Sequence, residues 1–149
     1  MDNKAKVLKV VEDYINSAHE SDGATMRKIF DDDAMVTGHI KGKLIRQTKE
    51  DWANFVEKNI PSPKAKGKAK DYVILMVDVG EETAAVKVKN EYINIMFIDT
   101  LSFLKIDNKW KIYNKVFEAI DWVLNLEWLD EKSGQNSCGI FSRFYFRGL

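Results

Sequence analysis

The sequence predicts an α+β fold, with helices segregated onto one face of a curved antiparallel meander. Two observations carry that expectation. Apolar residues recur at helical spacing in three stretches before Asp71, and from Asp71 onward the period changes to two. Between the second and third helical stretches, "AMVTGHI" and "KLIRQ" read as a small hairpin around Lys41-Gly42.

Residues 4–20 form the first amphipathic helix, with Val7, Leu8, Val11, Tyr14, Ile15 and Ala18 on one stripe. Ser21 or Asp22 caps a short second helix that buries Met26, Ile29 and Phe30. Thr48 is a good N-cap for the third, "KEDWANFVEKN", and Asp51 sits where a capping-box acid belongs. Trp52, Phe55 and Val56 make its apolar stripe, and Pro61 and Pro63 end it. The following "PSPKAKGKAK" carries Lys64, Lys66, Lys68 and Lys70. It reads as a solvated loop more than as a phosphate patch, because no aromatic is interleaved. The meander is "DYVILMVDV", "TAAVKVKNEYINI", "MFIDTLSFLKI" and, after a tight turn at Asp107-Asn108, "KWKIYNKVF".

Residues 1–118 thus make one domain, and residues 119–149 an extension. Within the extension, "AIDWVLNLEWLDEK" is patterned as a helix with Ile120, Val123, Leu124 and Trp128 on one side. The closing "SGQNSCGIFSRFYFRGL" is expected to pack on the domain or a partner rather than on a membrane.

Lys+Arg and Asp+Glu both count 23, and the zero net charge removes the bulk drive toward nucleic acid. The single cysteine, Cys138, permits no intrachain disulfide, so nothing requires an oxidising compartment. The opening "MDNKAKVLKVVEDY" lacks the apolar core of a secretory signal. No run approaches the roughly 18 apolar residues of a membrane span. The cytoplasm is the expected location. His19 and His39 are the only histidines, without metal-ligand spacing, and no phosphate-binding glycine loop or nucleophile elbow occurs. No metal and no cofactor are therefore expected. Asp31, Asp32 and Asp33 read as a solvated turn, lacking the alternating oxygens of a cation loop.

The run from "FDDDAMVTGHIKGKL" through "DYVILMVDVGEETAAVKVKNEY" to "DTLSFLKIDNKWKIYNKVF" resembles the nuclear transport factor 2-like superfamily. Within it, the resemblance is to the group labelled "putative lumazine-binding", and it spans about Lys6 to Glu118. It implies a cone-shaped half-barrel in which a strongly bent, mostly antiparallel sheet wraps round helices. It also implies a homodimer through the outer sheet face. Fold alone does not settle function, because this superfamily includes both enzymes and binding modules.

A cone leaves a cavity at its open end, lined by inward strand positions. With Lys87, Lys89 and Glu91 outside, Asn90 and Tyr92 face in. With Lys105 outside, Thr100, Ser102 and Leu104 face in and Asp99 points out. With Lys111 and Lys115 outside, Trp110, Ile112, Asn114 and Val116 face in. Asn90, Thr100, Ser102 and Asn114 are then polar at buried positions, either satisfying one another through water or serving a ligand. Tyr14, Trp52 and Phe55 would close the pocket.

In the steroid-isomerase branch, the resemblance places Tyr14 on a hydrogen-bonding tyrosine and Gly38, not an acid, on the proton-shuttling carboxylate. His39 is the next residue, and it would face away unless a bulge rotates the chain.

Two readings follow. One is a small-molecule binding protein whose ligand touches Tyr14, stacks on Trp52, Phe55, Tyr92 and Trp110 and is oriented by Asn90, Ser102 and Asn114. The other is an acid–base enzyme of the isomerase, cyclase or dehydratase kind, with His39 as base and Tyr14 as donor. A third class, an interaction module, would use the sheet face and the aromatic tail.

Overall fold

The computed structural model describes residues 1–122; for Asp121 and Trp122 it describes the backbone alone. The aromatic tail and the part of the expected C-terminal helix beyond Trp122 lie outside the described residues. Helix α1 (Asn3–Glu20) starts at Asp2, whose side chain accepts from the Ala5 N–H, and ends at Ser21 in the left-handed region. Helix α2 (Gly23–Ile29) is capped by Asp22. Strand β1 (Phe30–Ile40) and strand β2 (Lys43–Thr48) form the hairpin, and α3 (Lys49–Glu57) follows at once. Thr48 and Asp51 make the full reciprocal capping box. Strands β3 (Tyr72–Val79), β4 (Thr83–Tyr92), β5 (Ile95–Ile106) and β6 (Lys109–Trp122) complete the fold.

The six strands lie in the order β2-β1-β6-β5-β4-β3. All neighbours are antiparallel except β1 and β6, which run parallel. This is an α+β protein with a mixed, mostly antiparallel sheet whose edges, β2 and β3, do not meet. Helix α1 lies against β6 and β3, and α3 against β1 and β2. Between them Val7, Val11, Met26, Phe30, Val56, Val86, Leu101, Phe103 and Ile112 make a continuous apolar core. Arg27 clamps α2 to α3 through Glu50, Asn54 and Glu57 at 2.8–2.9 Å.

Several boundaries differ from expectation for local reasons. Strand β1 begins at Phe30, so the three aspartates lie within it; Asp32 pairs with Lys49 at 2.5 Å. Strand β4 stops at Tyr92, because Ile93 and Asn94 take φ of 50° and 61° and turn the chain into β5. Strand β6 runs on through Ala119 and Ile120, where a helix was expected to begin. The lysine loop is fixed to its surroundings. The His19 imidazole bonds the Lys68 carbonyl at 2.8 Å, Lys70 reaches Asn16 at 2.6 Å and Lys68 reaches Asn94 at 2.7 Å.

Two bulges control which side chains reach the interior. On β6, Asn114 pairs with Ser102 but Ile112 pairs with Phe103, leaving Tyr113 as an extra residue. Before it, Trp110 and Ile112 face in; after it, Lys115 and Phe117 do. A second irregularity lies at Ile120, between the pairs Met96–Asp121 and Phe97–Ala119.

Candidate functional site

A recess of about 400 Å3, mouth included, opens between the helices and the inner face of the sheet. Its enclosed part has room for little more than a water molecule. Helix α1 contributes Tyr14 and Ala18, and α3 contributes Trp52 and Phe55. Ile40 and Gln47 come from β1 and β2, Asn90, Tyr92 and Ile93 from β4 and its turn. Phe97 and Asp99 on β5, with Lys115 and Phe117 on β6, form the floor. The aromatic wall is contiguous: Trp52 stacks on Phe55 with centroids 5.9 Å apart, and Tyr92 meets both rings edge-on.

At the floor lies a buried charged cluster. Asp99 is 1% exposed and Lys115 5%. The Tyr14 hydroxyl donates to Asp99 Oδ2 at 2.7 Å, and Asn90 Nδ2–H donates to the same oxygen at 2.8 Å. Lys115 Nζ donates to Tyr14 Oη at 2.7 Å and stands 3.7 Å from Asp99 Oδ2. The ammonium also sits 4.0 Å from the ring centre of Trp52. Burial, reinforced by the Asp99 charge, holds the Tyr14 hydroxyl well above the usual phenol range. Burial pulls the Lys115 amine down, and Asp99 opposes that shift.

The cluster is incompletely satisfied. Among the described residues four buried side-chain atoms have no hydrogen-bond partner: Gln47 Oε1, Trp52 Nε1, Asp99 Oδ1 and Trp110 Nε1. Buried polar atoms are normally paired, and the first three of these four lie on residues of the recess wall.

The sequence-derived candidates divide clearly. Tyr14, Trp52, Phe55, Asn90 and Tyr92 line the recess. Ser102 is exposed, and Thr100 and Leu104 are half-buried on the same side of β5, because the inward set is Phe97, Asp99, Leu101 and Phe103. Trp110 is buried in the core away from the recess, with Lys105 Nζ 5.8 Å from its ring centre. Asn114 is displaced by the β6 bulge and accepts from the Met35 N–H at 3.2 Å. Val116, expected inside, is 58% exposed for the same reason.

His39 is exposed on the outer face, in register with Leu44 and Glu118, so it does not share a cavity with Tyr14. Gly38 is the inward residue there, and the space beside it is filled by Phe117.

Asp99, Lys115, Gln47 and Phe117 were missed by sequence reasoning. The available signal was Asp99 itself, the one acid in β5, which needs a buried partner if it faces in. Nothing in the spacing reveals the bulge that turns Lys115 toward it.

Tyr92 offers a direct check on burial within the recess. Its hydroxyl accepts from Asn59 Nδ2–H at 3.2 Å, yet burial pushes it up to about 12 from 10.0. The folded state keeps this proton where the unfolded chain loses it, so stability falls as pH rises from 10 to about 12. Over that interval the wild type is expected to lose about 2–3 kcal/mol more than Tyr92→Phe. Urea denaturation at stepped alkaline pH measures the difference; parallel curves would mean that the phenol is solvated.

Helices α1 and α3, the bent unclosed sheet and the recess between them define a nuclear transport factor 2-like protein. Residues 2–118 match the family described as "Putative lumazine-binding", and the chain belongs to that family. The chain is similar to an NTF2-like protein of unknown function from Methylobacillus flagellatus, with 28% identity and a TM-score of 0.66 over 78% of this chain and 91% of that one. An NTF-2 like protein of unknown function from Silicibacter pomeroyi has 22% identity and the same TM-score, over 78% and 94%. A ketosteroid isomerase-like protein from Erwinia carotovora atroseptica shares the fold at 12% identity and a TM-score of 0.59, over 80% and 98%. No curated protein matches the chain. None of the described helices is long and apolar enough to cross a membrane.

Proposed function

We propose that the protein binds a small, flat, uncharged molecule in the recess between Trp52, Phe55, Tyr92 and the Asp99–Lys115 floor. The observation that carries this reading is the set of unpartnered buried atoms on the recess wall. Two acceptors, Gln47 Oε1 and Asp99 Oδ1, call for ligand N–H or O–H groups, and one donor, Trp52 Nε1–H, calls for a ligand oxygen or nitrogen. The Asp99 and Lys115 charges compensate each other, which favours a neutral guest. The aromatic wall favours a flat one. A pteridine-dione of the lumazine type carries ring N–H and C=O groups on one plane and fits that description. Because the enclosed space is little more than that of a water, such a guest enters as Phe55 and Ile93, both half-buried, give way.

The test is thermal denaturation with a panel of flat heterocycles, lumazine included. A ligand at 100 times its Kd raises stability by about 2.7 kcal/mol and shifts Tm upward by several degrees. Trp52 fluorescence should change with it. Ala18→Trp fills the mouth and should abolish the shift while leaving the fold intact. No shift with any member of the panel, in a protein shown to be folded, would count against the reading.

His39 does not share a cavity with Tyr14, because the two lie on opposite sides of the sheet, and this disfavours the acid–base reading.

The same reading takes the protein as a cytoplasmic homodimer joined through the outer sheet face. Val116 on β6 and Val73 on β3 are 58% and 54% exposed, with Met35, Leu44 and Met76 also exposed. Val116→Glu should convert a dimer to a monomer in light scattering at micromolar concentration, without loss of helix signal. A wild type that is already monomeric there would remove this part of the proposal. Residues 119–149 are read as packing on the domain or a partner, and deleting residues 123–149 with the recess intact tests that role.

A further inference from the structure

Lys115 is the one residue of the recess whose chemistry exceeds what binding requires. A protonated lysine has three N–H donors. Among the described residues, only Tyr14 Oη stands within hydrogen-bond distance of its Nζ, at 2.7 Å; Asp99 Oδ2 is at 3.7 Å, and the Trp52 ring faces the amine at 4.0 Å. This is a poorly solvated ammonium. It is also connected to a proton acceptor through a single hydroxyl, because Tyr14 donates to Asp99 Oδ2 at 2.7 Å. One concerted shift carries the Lys115 proton to Tyr14 Oη while Tyr14 passes its own to Asp99. That leaves a neutral amine, a phenol and a carboxylic acid, with no net charge moved out of the cluster. A low-dielectric site favours such neutralisation.

We propose that Lys115 captures a carbonyl compound in the recess as an imine, with Tyr14 and Asp99 transferring the protons. The inference rests on the recess being a ligand site and specifies that its guest carries an aldehyde or ketone. The neutral Lys115 Nζ adds to the carbonyl carbon. The C–N bond forms, the C=O π bond opens, and a proton moves from nitrogen to the new oxygen, giving a carbinolamine. Protonated Asp99 then delivers its proton to that hydroxyl, which leaves as water while the nitrogen lone pair forms the C=N bond. The products are an iminium on Lys115, the Asp99 carboxylate beside it and one water. No electrons are exchanged, and reversal by water releases the carbonyl. The partners suit each stage: a desolvated lysine is an activated nucleophile, and a buried carboxylate compensates the iminium charge. Asn90, donating to Asp99 Oδ2 at 2.8 Å, orients the carboxyl group and leaves Oδ1 free.

The experiment uses the full chain, benzaldehyde as probe and sodium cyanoborohydride to trap any imine, with peptide mapping by mass spectrometry. Lys66, exposed in the lysine loop, is the internal reference. Each unit by which burial lowers the amine's pKa multiplies its free-base fraction by ten. Lys115 is therefore expected to be benzylated faster than Lys66 at pH 7. Tyr14→Phe removes the relay but not the amine, and should slow Lys115 labelling about 10-fold or more while Lys66 is unchanged. Thermal denaturation with benzyl alcohol, which has the same ring without the carbonyl, runs in parallel. Labelling of Lys115 no faster than Lys66 overturns the imine inference. If benzyl alcohol or another flat ligand still stabilises the protein, the binding reading survives alone. If nothing stabilises it and Lys115 is inert, both fail.

Discussion

Lys115→Met is expected to destabilise the protein by about 3–5 kcal/mol, because it strands Asp99 as an uncompensated charge in the interior. Asp99 is 1% exposed, and its remaining partners, Tyr14 and Asn90, are neutral donors to a single oxygen. Two hydrogen bonds do not replace the hydration that a carboxylate has in water. The companion variant, Asp99→Asn with Lys115→Met, removes both charges and should regain more than half of that loss. Such recovery would show that the penalty belongs to the unpaired charge and not to lost packing. Urea denaturation of the two single variants and the double variant measures it. A double variant as unstable as the sum of the singles would mean that the two groups are not energetically coupled. The wild type has its own dependence at higher pH. Burial lowers the Lys115 amine, so the unfolded chain binds more protons there, and this group's contribution makes stability rise with pH up to the unfolded value of 10.5.

Gly38→Ala should be nearly as damaging, by about 3 kcal/mol or more. A Cβ on Gly38 would stand 2.1 Å from the Phe117 carbonyl oxygen and 2.5 Å from its ring. The first obstacle is backbone, so rotating Phe117 does not relieve it. Strands β1 and β6 pair side by side here, with Gly38 opposite Phe117, and they would have to separate. Phe117→Ala therefore should not rescue Gly38→Ala; rescue by that pair would show that the ring alone is the obstacle. Gly38→Asp should fail more severely. The approach of Phe117 leaves no room for a side chain at this position. The buried charges of the recess floor, Asp99 and Lys115, come instead from β5 and β6.

Much of the architecture was legible because it depends on local interactions. The stripe of Val7, Val11, Tyr14 and Ile15 follows from helical spacing, and the Thr48–Asp51 capping box from residues three apart. Asn90 and Tyr92 were placed correctly because β4 alternates cleanly between charged and apolar residues. Strand β5 offers no such contrast. Ile95, Phe97, Leu101 and Phe103 face in, while Met96, Ile98 and Leu104 lie on the other side, so either phase looks apolar. Anchoring it on Lys105 put Asp99 outside. Lys105 is in fact half-buried, its Nζ bonded to Asn3 Oδ1 at 3.3 Å.

The sequence by itself determined the three helices, their caps, the turns and the clean alternation of β4, because each arises from residues within a few positions of one another. Only the tertiary structure decided the chemistry of the recess. One extra residue, Tyr113, is accommodated as a bulge because β6 must pair with β1 on one side and β5 on the other. A shift of one residue exchanges the two faces of a strand. That exchange brings Lys115 inward to Asp99 and Tyr14, 16 and 101 positions away in the chain, and turns Asn114 and Val116 outward. A strand's own residues carry no record of that pairing.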